Sequence, residues 1–310
     1  MTTVQASTAQ VTLFEVGPRD GLQNEPETLA TEVKVELLER LIESGLTRIE
    51  VSSFVSPKWI PQLADASEVF QRMRRRRGVE LSALVPNLQG LERALAADVD
   101  SVGVFMSASE AHNQKNINKT RAETYPVLAP VVTQALQAKK QVRGYVSTAF
   151  GCPYEGAVNP LEVVDVALRL LDMGIQELSI GDTIGVAVPT QVERLLAELD
   201  AKDVPMSQIA LHFHDTRGMA IANAYAGYRC GVRTFDGSIG GLGGCPYAKG
   251  ASGNVATEDL FYLFDGMGVA PAVSIATLRS TAAWLEQKLG RKLESRDRRV
   301  VSGEEGETTV

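Results

Sequence analysis

The chain has 310 residues, of which 44% are hydrophobic and 22% charged, the profile of a soluble globular protein. A formal net charge of −7 argues against sequence-independent nucleic-acid binding, which needs a basic surface. No apolar run reaches the roughly 20 residues of a membrane span, and the opening MTTVQASTAQ lacks the charge and apolar core of a secretory leader. Three cysteines are too few for a disulfide framework, so a reducing, cytoplasmic setting is expected.

Eight short apolar or β-branched runs alternate with amphipathic segments along the chain. The predicted strands are residues 11–16, 48–54, 79–85, 101–106, 142–149, 177–180, 209–214 and 233–239. After the first strand, TEVKVELLERLIESG carries an apolar helical stripe of Val33, Leu37, Leu38 and Leu41, with Gly45 as a stop. After the fifth, NPLEVVDVALRLLDMG repeats that plan, with Asn159 as N-cap, Pro160 in the first turn and Gly174 at the end.

Such alternation implies parallel pairing through right-handed crossovers. Eight units predict an α/β fold of the (β/α)8 TIM-barrel type with extra C-terminal helices. An open doubly wound sheet is disfavoured, because no G-x-G-x-x-G follows the first strand. One catalytic domain is expected over residues 11–292, between a flexible N-terminus at 1–10 and a polar, frayed tail at 293–310.

In such a barrel the chemistry collects where strands end. The first strand ends in GPRDGLQNE, the fifth in STAFGCPYEG, the sixth in SIGDTIG, the seventh in HFHDTRG and the eighth in SIGGLGGCPYAKGASGN. His212 and His214 are two of only three histidines and stand two apart, so both project to one strand face and can ligate one ion. Asp20 is the best carboxylate partner by position, although PRDG is also turn-forming. A mixed nitrogen and oxygen set suits Mg2+ or Mn2+, and neither GCPY cysteine lies in the C-x2-C pairing typical of zinc.

Glu50 lies between Ile49 and Val51 inside the second strand; if it faces the barrel interior it needs a cation, and Arg19 is the candidate. Asp182 is equally readable as a helix cap or as a group acting on substrate protons. Cys245 sits among Gly240, Gly241, Gly243 and Gly244 and is the expected working thiol, whereas Cys152 is expected to shape the pocket wall.

Taken together, VGPRDGLQNE, SSFVSPKWIPQ, RGYVSTAFGCPYEG, GDTIGVAVP, HFHDTRG and GGLGGCPYAKGASGNVATEDL resemble the 3-hydroxy-3-methylglutaryl-CoA lyases over roughly residues 11–290. The resemblance implies that Asp20, His212, His214 and Asn254 ligate a divalent cation. It further implies that Arg19 stabilises enolate charge, Glu50 holds Arg19, Asp182 shares proton transfer with His212, and Cys245 is the catalytic thiol. Gln23, Ser179 and Thr183 would line the substrate site. The implied reaction is retro-Claisen cleavage of an acyl-CoA substrate to acetyl-CoA and acetoacetate, by a homodimer and without nucleic-acid or membrane partners.

Two positions depart from the family's usual pattern: Pro26 where Lys is common and Arg217 where Tyr is common. They keep a different ester, such as citramalyl-CoA, open as substrate. A condensing acetyl-CoA/2-oxo acid synthase would share Asp20 and the histidine pair but lack the Cys245 loop. A non-catalytic CoA- or metal-binding protein would be expected to have lost a ligand.

Overall fold

The computed structural model describes residues 10–243 and 253–300. Eight parallel strands close into one barrel in sequence order: β1 (Thr12–Glu15), β2 (Arg48–Ser53), β3 (Glu80–Leu84), β4 (Ser101–Ser107), β5 (Gln141–Ser147), β6 (Glu177–Asp182), β7 (Ile209–Phe213) and β8 (Thr234–Gly237). Closure comes from β8 pairing back onto β1, with Thr12 opposite Thr234 and Glu15 opposite Gly237. The outer layer holds α1 (Thr31–Glu43), α2 (Ala66–Arg72), α3 (Leu88–Ala96), α4 (Glu110–Ile117), α5 (Arg121–Gln137), α6 (Pro160–Asp172), α7 (Pro189–Asp200) and α8 (Ala220–Arg229). Two further helices, α9 (Thr257–Gly266) and α10 (Ile275–Leu289), follow the eighth strand.

Helix boundaries follow local chemistry. The Asn159 side chain accepts from the Leu161 N–H at 3.1 Å, and Pro160 opens α6, where its missing N–H costs nothing. In α1, Leu37, Leu38 and Leu41 are fully buried as the stripe requires. Val33 is only half-buried; the neighbouring Lys34 is buried instead, its ammonium donating to Asp65 and to the Gln62 carbonyl, both at 2.6 Å. Periodicity cannot foresee a buried lysine, because its partner lies in a different element.

The stretch expected to fray from residue 293 does not begin to do so there. Leu293, Ser295 and Arg298 are buried, and a helical turn starts at residue 296. Residues 1–9 and 301–310 lie outside the described residues.

Candidate active site and metal centre

The mouth of the barrel opens into a cavity of about 680 Å³, lined among others by Arg19, Asp20, Gln23, Ser179, Thr183, His212 and His214. All seven were expected from the sequence, and they come from three different strand ends.

Directly after β1, Gly17–Gly21 forms a single π-helical turn, in which the Asp20 N–H reaches back to the Val16 carbonyl at 2.7 Å. One-turn π segments recur at functional sites because they re-aim side chains. Here the turn presents Arg19 and Asp20 to the same cavity. The Arg19 Nε donates to Glu50 Oε2 at 2.5 Å and its Nη1 to Asp20 Oδ1 at 2.6 Å, leaving Nη2 with no acceptor among the described residues. Glu50 faces the barrel interior, fully buried, and accepts also from the Tyr145 hydroxyl at 2.9 Å. Burial pushes the Glu50 pKa up against the pull of Arg19. For Arg19, burial lowers the pKa, but the charges of Glu50 and Asp20 more than reverse that. The guanidinium is therefore a permanent buried cation with one free edge.

Asp20 is only partly buried, and the charges of Arg19, His212 and His214 outweigh the desolvation and hold its carboxyl at a pKa of about 2. It accepts from Gln23 Nε2 at 2.8 Å on one oxygen and from Asn254 Nδ2 at 2.9 Å on the other. His212 is the last but one residue of β7 and His214 lies just past its end, their rings 5.4 Å apart. One ligand atom from each of Asp20, His212 and His214 lies within 4.8 Å of the others. Asn254 joins them through an antiparallel bridge to His214.

Two atoms in this group, His214 Nδ1 and Asn254 Oδ1, are buried without a hydrogen-bond partner among the described residues. Orphaned acceptors of this kind are rare and need a reason. A cation bound among them would supply one. Burial, reinforced by His212, lowers the His214 pKa to about 4, so the imidazole is neutral at pH 7, as a ligand must be. The donor set of carboxylate, imidazole and amide oxygen fits a divalent cation.

Behind the pair stands a carboxylate that sequence reasoning missed. Asp236 on β8 faces His212 Nδ1 at 3.3 Å, accepts from Ser179 Oγ at 2.8 Å, and is ion-paired to Arg143 of β5. Burial lowers the His212 pKa, but this hydrogen bond and the charge of Asp236 raise it overall. A partner on one ring nitrogen fixes the tautomer and turns the other nitrogen, here Nε2, toward Asp20, 3.9 Å away. The signal was present: Arg143 and Asp236 are charges alternating with apolar neighbours inside strands, the same pattern that singled out Glu50.

Four further residues are placed outside the cavity lining. Asp182 does not line the cavity; its two oxygens accept from the Val186 and Ala187 N–H groups, so it caps the loop after β6 and not α7, whose N-cap is Val188. Cys152 does not line the cavity either; it is buried and accepts from the Ser109 hydroxyl at 2.9 Å. Arg217 donates to the Ile184 and Gly185 carbonyls at 3.1 and 2.9 Å, and neither it nor Pro26 lines the cavity, so neither departure touches its wall. Cys245 lies outside the described residues.

The sequence pattern of the family described as HMGL-like matches residues 10–285. The chain belongs to the HMGL-like family. Among HMGL-like relatives, hydroxymethylglutaryl-CoA lyase YngG of Bacillus subtilis is 51% identical over 291 residues, covering 94% of this chain and 97% of the relative. A 3-hydroxy-3-isohexenylglutaryl-CoA/hydroxy-methylglutaryl-CoA lyase of Pseudomonas aeruginosa is 48% identical, covering 93% and 95%. The solved structure of an HMG-CoA lyase from A. baumannii, in complex with coenzyme A and 3-methylmalate, is 39% identical with a TM-score of 0.88, covering 96% and 95%.

Proposed function

We propose that this chain is a divalent-metal-dependent carbon–carbon lyase that cleaves 3-hydroxy-3-methylglutaryl-CoA to acetyl-CoA and acetoacetate. The observation that carries the reading is one cavity in which a buried arginine with a free edge faces an Asp20–His212–His214 group. The named activities of relatives about half identical to this chain over nearly its whole length support the substrate.

Asp20, His212, His214 and Asn254 would hold Mg2+ or Mn2+. When bound, such a cation supplies Lewis acidity toward the substrate's hydroxyl and carbonyl oxygens. Breaking the carbon–carbon bond leaves negative charge on the thioester enolate, and the open Nη2 edge of Arg19 is the preorganised donor for it. Because Glu50 and Asp20 fix the guanidinium in advance, no reorganisation is needed as charge develops. Gln23, Ser179 and Thr183 contact the substrate from the cavity wall.

Burial raises the Asp182 pKa, the direction a base for the 3-hydroxyl proton needs, and this carboxylate acts with His212 only if its loop bonds to Val186 and Ala187 loosen. Cys245 is the acid that protonates the enolate carbon, since a thiol with an ordinary pKa of about 8.5 is mostly protonated at neutral pH. A homodimer in the cytoplasm completes the reading.

The test is an assay of the purified protein with Mg2+ or Mn2+ on hydroxymethylglutaryl-CoA, isohexenylglutaryl-CoA and citramalyl-CoA esters, reading acetyl-CoA and the released ketone. The highest kcat/KM is expected for the methylglutaryl ester. A clear preference for another ester overturns the substrate, and no cleavage of any overturns the activity. Cys245→Ser should lose most turnover while still binding metal.

A further inference from the structure

The segment that was expected to fray, residues 293–298, lies beyond the stretch matched by the family pattern and contacts both sides of the metal-binding face. Five successive backbone N–H groups in it donate to other elements. Leu293 N–H goes to Glu286 Oε1 at 3.0 Å, while those of Glu294 and Ser295 go to the single carbonyl of Gly240 at 3.1 and 3.0 Å. The N–H groups of Arg296 and Asp297 go to the two oxygens of Asp259 at 3.1 and 2.9 Å.

Packing follows the same line. Gly240 has φ +63°, and a Cβ built on it would meet Leu293 Cδ1 at 2.3 Å, so the leucine occupies the space that glycine leaves. On the other flank the Arg296 guanidinium is ion-paired with Asp215, the residue that follows His214.

These two anchor points bracket the ligand group. Asp215 N–H binds the Gly253 carbonyl at 2.8 Å, beside Asn254, and His214 and Asn254 form a bridge. On the Gly240 side, the Leu242 carbonyl accepts from Asn254 Nδ2 at 3.2 Å, and a Cβ on Gly243 would lie 2.9 Å from that same nitrogen. Asn254 is thus held between two strand-end segments, and the chain after α10 ties both of them down from outside.

We propose that residues 293–298 are a positioning strap for the metal centre, with Leu293 setting the Gly240 side and Arg296 the Asp215 side. Neither side chain lines the cavity, so both act through the ligands they brace. The proposal rests on the metal-dependent reading above, but metal affinity can be read without substrate.

Leu293→Ala, Arg296→Met and Arg296→Lys in the full chain are to be titrated with Mn2+ by electron paramagnetic resonance, with kcat, KM and Tm measured alongside. Leu293→Ala and Arg296→Met should weaken Mn2+ binding roughly 3- to 10-fold and lower kcat in step, with KM for the acyl-CoA within about 2-fold. Arg296→Lys, which restores the charge opposite Asp215, should recover most of both. Wild-type Mn2+ affinity in Leu293→Ala and Arg296→Met overturns the strap, as does a Lys variant no better than Met at position 296. Weakened Mn2+ binding in a protein whose wild type binds Mn2+ but cleaves no methylglutaryl ester supports the strap and overturns only the substrate assignment.

Discussion

Two guanidinium–carboxylate assemblies lie buried in this barrel, and they are built differently. Arg19, with Glu50 and Asp20, sits at the cavity and keeps one edge of its guanidinium free among the described residues. Arg143 lies deeper, with one amino group on Glu177 at 2.8 Å and the other on Asp236, and it does not line the cavity. Glu177 continues to Arg48 at 2.8 Å, and Arg48 to Glu80 at 2.7 Å, so the deeper assembly is a linear chain of alternating charges from Asp236 to Glu80. The same chemistry serves two ends. Arg143 also has an unpaired nitrogen among the described residues, its buried Nε, but only Arg19 lines the cavity; Arg19 is a donor waiting for an anion there, whereas Arg143 is a frame that holds a neighbour, Asp236 against His212.

Removing each arginine should break that distinction most sharply. Arg19→Met is expected to cost roughly 10³-fold in kcat, the order of an oxyanion donor, and to lower Tm as well, because it leaves Glu50 buried without its cation. Arg143→Met should do the reverse in emphasis, destabilising the fold by about 3–5 kcal/mol because Asp236 is left buried and uncompensated. Equal losses of kcat in the two variants would erase the division between donor and frame.

Metal binding gives the next largest effect. His214→Ala removes a neutral buried imidazole and should weaken Mn2+ by about 10²-fold, read by titration of the apoprotein. Asp236→Asn acts one step removed and should cost about 10-fold in Mn2+ affinity, within the range for partners of ligating histidines. An Asp236→Asn protein with wild-type affinity would show that Asp236 is only Arg143's counter-ion.

Much of this was legible in the chain itself. Strand and helix alternation predicted the barrel, the strand-end rule gathered Arg19, Asp20, His212 and His214, and the family resemblance added Gln23, Ser179 and Thr183; all seven line one cavity. Asp182 was ambiguous because a carboxylate after a strand can cap a loop or face a substrate, and its hydrogen bonds to Val186 and Ala187 are local choices invisible in spacing. Asp236 was overlooked although it lies inside the predicted strand at 233–239, because nothing along the chain shows that it stands against His212 of the neighbouring strand. The strap at 293–298 looked like a tail because five of its anchors are backbone N–H groups, which composition does not report, and its Arg296–Asp215 pair joins residues far apart in sequence.

The smallest effect concerns pH. Glu15 and Glu258 brace the same β8 exit, Glu15 accepting from Ile239 N–H at 2.8 Å and Glu258 from Gly240 N–H at 2.9 Å. Burial raises their pKa values to about 7 and about 8. A carboxyl raised by folding binds its proton more tightly when native than when unfolded, so its stabilisation is complete below pH ~4.5 and is lost as pH rises through the folded value. Tm should therefore fall between about pH 5 and pH 8, and Glu258→Gln should flatten that slope. An unchanged slope in the variant would assign it to other groups.

What the sequence by itself determined is the barrel and the roster of the rim, because hydrophobic period and strand-end position are properties of neighbours along the chain. Only the tertiary structure decided who faces whom. Barrel closure brings β1 against β8, sets Asp236 behind His212 across the β7–β8 pair, and lets a terminal segment reach Gly240 and Asp215. Those pairings join residues far apart in sequence, and no local pattern carries the distance between them.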